Sequence, residues 1–394
     1  MGTALDLPDD IDTLKRLVIE LRSQLERLKG ERSQTPTDPP RLSIEQLELT
    51  LDPEWAAHAL RRERPSPAML ARILVAKYAG HVPLHRQSRL YARAGVRLDR
   101  STLASWVSGA YAVLEPLIET LSRYVLAGSN LHASDMPYPV RASRTGKARM
   151  GRLWAYVRDE RAWGGARAAA VMFRFTPDRK ARHPRVHLAG FGGVLHTGED
   201  HAFDRVFGEA RIQEAASWSP LRKRFFDLHE AEPSEISAEA LERLDALRDI
   251  ESTIRGSSAA HRLAARKARA APLVTDLRAW LDDCARRLPA KSAQGATVRA
   301  TLARWGPLTR YLGDGRIDAD NEPAERALKS VALTRRSHLF AGADSNGERA
   351  AGVYSLIVSA MLNERDPEEY LREALSRIAQ QPISRLDELL PGMI

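Results

Sequence analysis

Cysteine is almost absent from this chain. Cys284 is the only one in 394 residues, which excludes an intrachain disulfide framework and any multi-cysteine zinc site. Long apolar runs are missing as well. No window reaches the ~18 apolar residues of a membrane-spanning helix, and the acidic N-terminus lacks the basic-then-apolar run of a signal peptide. The expected compartment is therefore the cytoplasm. What is present in excess is positive charge: 60 Lys+Arg stand against 51 Asp+Glu, a net +9, with a pI near 9.8. That balance favours a polyanionic partner, nucleic acid ahead of a membrane surface. A hydrophobic fraction of 43% and a charged fraction of 28% are those of a globular protein, and the length leaves room for two or three domains.

The chain opens on a helical pattern over residues 10–32. Leu14, Val18, Leu21, Leu25 and Leu28 alternate spacings of four and three, an a/d seam flanked by charges. A short oligomerisation helix fits this, and so does an amphipathic helix docked on the body. Residues 33–42 are a polar, proline-rich linker.

From Ala68 to Val125 every signal is helical. Met69, Ile73, Leu74 and Tyr78 share one face of a first helix. Leu84 to Ala94 forms a second, stopped by Gly95, and Asp99 or Ser101 caps a third that carries Leu103, Trp106, Val107 and Tyr111 inward. Short helices with a glycine-containing turn are the layout of a helix-turn-helix. Arg86, Arg89, Arg93, Arg97 and Arg100 cluster there, as a phosphate-contacting surface requires. A plain helical bundle with a solvated basic face has the same pattern.

Beyond Asn130 the character changes. Leu131–Met136, Arg152–Arg158, Ala169–Phe175 and Gly192–Thr197 read as strands, with a helix over His183–Ala189 before the fourth. Residues 211–312 read as mostly helical, with an arginine-rich stretch from Arg262 to Arg269. The densest chemistry follows at Arg316–Lys329, where Asp318, Asp320, Asn321, Glu322 and Glu325 gather round one short helix with Pro323 in its first turn. By itself this is equally a well-capped surface helix.

Taken together, these words resemble the transposases of the insertion sequence 66 family over nearly the whole chain. The matching segments are Leu74–Ala79 with Pro83–Ser88, Leu98–Leu103 with Trp106, Gly151–Asp159, His187–Phe191, Arg224–Asp227, and Asp320 through Ser355. The resemblance implies a mixed α/β fold: an RNase H-like catalytic core with a large helical insertion, preceded by an all-helical helix-turn-helix region and a coiled-coil-like N-terminal helix. The corresponding division is 1–32 oligomerisation helix, 33–66 linker and remnant lacking the family's zinc module, 67–128 helix-turn-helix, 129–345 catalytic domain with its insertion at about 211–312, and 346–394 C-terminal helices. The implied partners are the terminal inverted repeats and target DNA, a second copy of the chain, and accessory proteins of the same element. No membrane partner is implied.

The family also implies three carboxylates holding two Mg²⁺ ions for in-line attack on a phosphodiester. The third falls on Glu325, with Asn321 and Arg326 beside it, Arg326 as a DNA contact. The first belongs in a His-Ala-Asp-Glu-Thr-Pro word that here reads His132-Ala-Ser-Asp-Met-Pro137, so Ser134 stands at the aspartate position and Asp135 follows it. The second belongs where Gly198 stands, before Glu199 and Asp200. The expected catalytic and metal-binding set is accordingly Asp135, Asp200 (or Glu199) and Glu325. Two readings stay open: a metal-dependent transposase using displaced acids, and a degenerate copy that still binds DNA or oligomerises with an intact relative. Neighbouring strand residues face opposite ways, so Asp135 serves position 134 only if the strand slips or bulges.

Overall fold

The computed structural model describes residues 65–141, 148–199, 201–207, 211–332 and 344–394. Contacts divide the chain into residues 1–46 and 47–394, and everything described belongs to the second unit. The N-terminal seam, the linker and Asp200 lie outside the described residues.

Three helices come first. Helix α1 (Pro67–Tyr78) begins with Ser66, whose hydroxyl accepts from the Met69 N–H, and with proline in its first turn. Met69, Ile73, Leu74 and Tyr78 are all buried, as their spacing demands. Helix α2 (Leu84–Arg93) buries only Gln87 and Tyr91. It ends at Gly95, whose φ of +82° is the left-handed value that favours glycine. Helix α3 (Arg100–Leu126) runs on for 27 residues, much longer than its N-terminal signals indicate, and its second half buries Leu114, Leu117, Ile118, Leu121 and Val125. That apolar stripe docks α3 into the same core as the sheet.

The sheet has five strands, β1 (Asn130–Arg141), β2 (Ala148–Arg158), β3 (Ala170–Thr176), β4 (Gly193–Thr197) and β5 (Ile212–Ala216), in the order β3-β2-β1-β4-β5. Strands β1, β2 and β3 pair antiparallel, whereas β1, β4 and β5 run parallel. The short helix α4 (Arg182–His187) precedes β4. Strand β5 has no counterpart in the sequence reading. Ile-Gln-Glu-Ala-Ala lacks the β-branched alternation of an isolated strand, and its pairing with β4 decides its conformation.

Both edges of the sheet are covered. The helix Asp344–Leu362 lies along β3, where the hydroxyls of Ser355 and Ser359 accept from the N–H groups of Phe173 (2.8 Å) and Val171 (2.9 Å). At the other edge Arg310 donates through Nε to the Glu214 carbonyl of β5 at 2.6 Å. These side chains satisfy backbone groups that an edge strand leaves open. Ser359→Ala is expected to cost about 1–3 kcal/mol by stranding the buried Val171 N–H; urea unfolding measures it, and a change below about 0.5 kcal/mol would remove the hydroxyl's role.

The long segment between β5 and the acidic stretch is helical, as expected. Helices α5 (Ser219–Ala231), α6 (Glu235–Ile254) and α7 (Ala259–Ala265) lead through a π turn (Arg266–Ala270) into α8 (Ala271–Arg287), followed by α9 (Ala293–Ala303) and α10 (Trp305–Thr309). They enclose a second core around Trp218, Phe225, Leu244, Leu277, Leu281 and Tyr311. Helix α11 (Glu322–Ala332) returns to the first core, where Ala324, Ala327, Leu328 and Val331 are buried. Helix α12 (Asp344–Leu362) and helix α13 (Pro367–Arg377) complete the fold, with the Asp366 carboxylate accepting from the Glu369 N–H at 2.8 Å. No helix among the described residues is long and apolar enough to cross a membrane.

Candidate functional site

The site forms near the start of β1 and the end of β4. Their parallel register places His132 beside His196, and the two imidazoles stack with centroids 4.1 Å apart. Asp318 closes over them from the segment before α11. Its carboxylate contacts His132 Nε2 at 3.3 Å and Arg262 Nη2 at 2.6 Å. Its backbone N–H donates to His196 Nε2 at 2.9 Å, while His196 Nδ1 lies 3.0 Å from the Leu131 carbonyl. These contacts suit a neutral His196 that donates at Nδ1 and accepts at Nε2, and burial pushes its pKa down to about 3. For Asp318, burial works to raise the carboxyl. The His132 hydrogen bond and the charges of His132, His196 and Arg262 outweigh it, leaving the group far below the usual carboxylate range.

Arg262 is supplied by the helical insertion and is 3% exposed. Its neighbour Arg266 pairs with Glu251 at 2.6 Å, donates to the carbonyls of Tyr311 (2.9 Å) and Asp314 (3.1 Å), and lies over the Tyr311 ring. Two buried arginines thus tie the insertion to the loop that carries Asp318. Asn321, also buried, donates to the Ala133 carbonyl of β1 at 2.8 Å. That bond fixes the start of α11 against the first part of β1.

Among the described residues, the expected acids Asp135, Glu199 and Glu325 form no group that could hold a metal ion. Strand β1 pairs with β2 without interruption from His132 to Arg141, so it neither slips nor bulges at Ser134. Ser134 therefore shares the face of His132, and Asp135 points to the other. There Asp135 is ion-paired to Arg152 and, at 3.2 Å, to Arg179, with a side chain 0% exposed. Glu199 is turned toward the insertion, paired to Arg224 at 2.5 Å. The carbonyl of Gly198 accepts from Arg304 at 3.1 Å. Glu325 is half-buried on α11. Burial raises its carboxyl, with Lys329 opposing and Asp320 and Glu322 adding to the rise. Asp320 is likewise raised, chiefly by burial, and lies within electrostatic reach of Asp318, His132 and Glu322.

Of the arginines named as DNA contacts, Arg86, Arg89, Arg93, Arg97 and Arg100 are all exposed, on α2, in the loop after it and at the start of α3. Arg326 is engaged within its own helix, 2.6 Å from Glu322.

The Asp320–Ser355 block and the His132 word thus meet in space, joined by β1, β4 and the start of α11. A model of the family described as Transposase IS66 family matches residues 62–349, and one described as IS66 C-terminal element matches 355–391. The chain belongs to the IS66 transposase family. Among its relatives in Sinorhizobium fredii, the uncharacterized protein y4hP is 37% identical over 350 residues, covering 85% of this chain and 63% of the relative. The uncharacterized protein y4qI is 33% identical over 344 residues, covering 85% and 64%. A third, y4jD, also uncharacterized, is 33% identical over 374 residues, covering 89% and 73%. The chain thus spans somewhat under two thirds of the length of the first two relatives.

Transposases of this type usually use a divalent metal. Of the three positions at which the resemblance places carboxylates, Glu325 holds one; Ser134 and Gly198 supply no charge. Among the described residues no group of three or more His, Cys, Asp or Glu side chains is arranged to hold a metal ion. The donor set at these positions does not fit a two-metal site, which needs several hard, charged oxygens. Position 198 itself has room for a side chain: a Cβ added at Gly198 would meet only Pro220 Cγ, at 4.0 Å. Sequence reading singled out Asp135, Asp200 and Glu325 and did not identify His132, His196, Asp318 and Arg262. The available signal was the Leu-His pair repeated within two runs that read as strands, Leu131-His132 and Leu195-His196, and the spacing Asp318-Ala-Asp320.

Proposed function

We propose that this chain is an insertion-sequence transposase by descent that binds DNA without cutting it at the Ser134, Gly198 and Glu325 positions. The observation that carries this is the unbroken register of β1. It aims Ser134 toward the His132–Asp318 side of the sheet and sends Asp135 into an arginine pair on the other. The strand order β3-β2-β1-β4-β5, with α11 packed on β1 and β2, supports an RNase H-like core. In such a core, acids at 134, 198 and 325 would converge. Removing two of three leaves too little negative charge to hold paired cations for in-line phosphodiester attack. The DNA-binding half of the reading rests on the five exposed arginines of α2 and α3, on a helix-turn-helix layout, and on net charge. The substrate would be DNA at the element's ends, held by a homo-oligomer with or without accessory proteins of that element.

The test is strand cleavage of end-bearing DNA with Mg²⁺ or Mn²⁺, comparing the chain with its Ser134→Asp/Gly198→Asp variant. The expected result is no cleavage by the unmodified chain and measurable cleavage by the variant. Cleavage by the unmodified chain that is abolished in Asp200→Asn would overturn the reading in favour of displaced acids.

A further inference from the structure

The N-terminal ends of β1, β4 and β5 border a cleft of about 610 Å³. The starts of β1, β4 and β5 form one wall, and residues 309–317, between α10 and α11, form the other. Three arginines line it, Arg211, Arg310 and Arg316, against one acid, Asp314. Asp314 is committed to Arg316 at 2.7 Å. Arg310 donates to the Glu214 carbonyl at 2.6 Å and to Gln213 Oε1 at 2.8 Å. Both acceptors are neutral, so its charge is oriented but not cancelled. Arg211 and Arg316 are exposed, and Arg211 donates to the Ala189 carbonyl.

The strand-side wall is backbone held close. Gly193 has a φ of +149°, and a Cβ there would come within 2.2 Å of the Ser129 carbonyl. Asn130 Nδ2 approaches the Arg316 carbonyl at 3.5 Å, joining the two walls. The volume falls within the ~300–1,000 Å³ of clefts that hold ligands larger than a single phosphate. Guanidinium groups lining such a cleft suit phosphate oxygens in charge and as hydrogen-bond donors.

We propose that this cleft takes the phosphodiester backbone of a DNA strand, as a contact separate from the arginine face of α2. The inference rests on the proposal that the chain binds DNA, but it places a second path at the N-terminal ends of these strands. A strand lying there would pass between sheet and insertion, so the two cores would be bridged by ligand as well as by the Arg262–Asp318 pair.

The test uses the full chain with a labelled duplex and the matching single strand, titrated over a range of salt concentrations. For Arg211→Gln/Arg316→Gln, the slope of log affinity against log salt should fall by about 0.9 for each duplex phosphate no longer neutralised, or about 0.7 on the single strand. Arg310→Gln should reduce it further. Thermal unfolding of each variant distinguishes weaker binding from a damaged fold, and an Arg89→Gln/Arg93→Gln variant tests the α2 face alone. Reduced slopes in the cleft variants with unchanged unfolding support the proposal. Unchanged slopes there, with a reduction confined to the α2 variant, overturn the cleft while leaving DNA binding intact. Failure of the unmodified chain to bind either probe overturns both. Binding of inorganic phosphate that depends on Arg310 but is not displaced by DNA would assign the cleft to a free anion instead.

Discussion

Asp318→Ala should lower the unfolding free energy by about 3–5 kcal/mol, the cost of leaving one partner of a buried ion pair alone. Arg262, 3% exposed in the intact protein, would keep only Glu251, 3.5 Å away, as a carboxylate partner. Two of its nitrogens, Nε and Nη1, already lack a partner within the protein. His196 would keep the Asp318 backbone N–H, but His132 would lose its carboxylate. The paired variant Arg262→Met/Asp318→Ala should recover much of the loss, because it removes the stranded cation rather than exposing it. Arg316→Ala, which breaks an exposed pair with Asp314, should cost no more than about 1 kcal/mol. Equilibrium urea unfolding compares the four proteins. A cost below about 1 kcal/mol for Asp318→Ala would mean that water already solvates Arg262 and that the clasp contributes little.

Acid should destabilise this protein well before its carboxylates titrate. His187 and His196 are both held neutral, at about 3, chiefly by burial. His187 lies 2.9 Å from the Tyr156 hydroxyl through Nδ1. In the unfolded chain each titrates near ~6.5. Both folded values are depressed, so below that point the unfolded state binds the protons and the folded state does not. Stability is then complete above about pH 6.5 and falls as pH drops, by about 1.4 kcal/mol per unit for each histidine. The pair predicts a loss of roughly 4 kcal/mol between pH 7 and pH 5. The Asp318 carboxyl adds to this only below about pH 4, where its unfolded form takes up a proton that the folded form refuses. Urea unfolding at successive pH values measures the slope. His196→Gln should roughly halve it, and a flat profile from pH 7 to 5 would show that protonation is accommodated in the fold.

Much of the architecture was legible in the residues. The spacing of Met69, Ile73, Leu74 and Tyr78 located α1, Gly95 located the end of α2, and the apolar runs located four of five strands. Local rules suffice there, because periodicity and chain breakers act over a few residues. The length of α3 and the existence of β5 were not legible, since both depend on partners distant in sequence.

The same division runs through the site. Sequence by itself determined that Ser134 and Gly198 stand where the resemblance places aspartates, and no fold can give a carboxylate to those positions. Whether a neighbour could stand in was a question of direction. Only the tertiary structure decided it for Asp135, because the paired strand fixes successive side chains on opposite faces and two arginines hold this one on the far side. The clasp of His132, His196, Arg262 and Asp318 likewise joins residues from four separate segments. Each is an ordinary polar residue in the sequence, and proximity in a buried, low-dielectric setting gives them their strength.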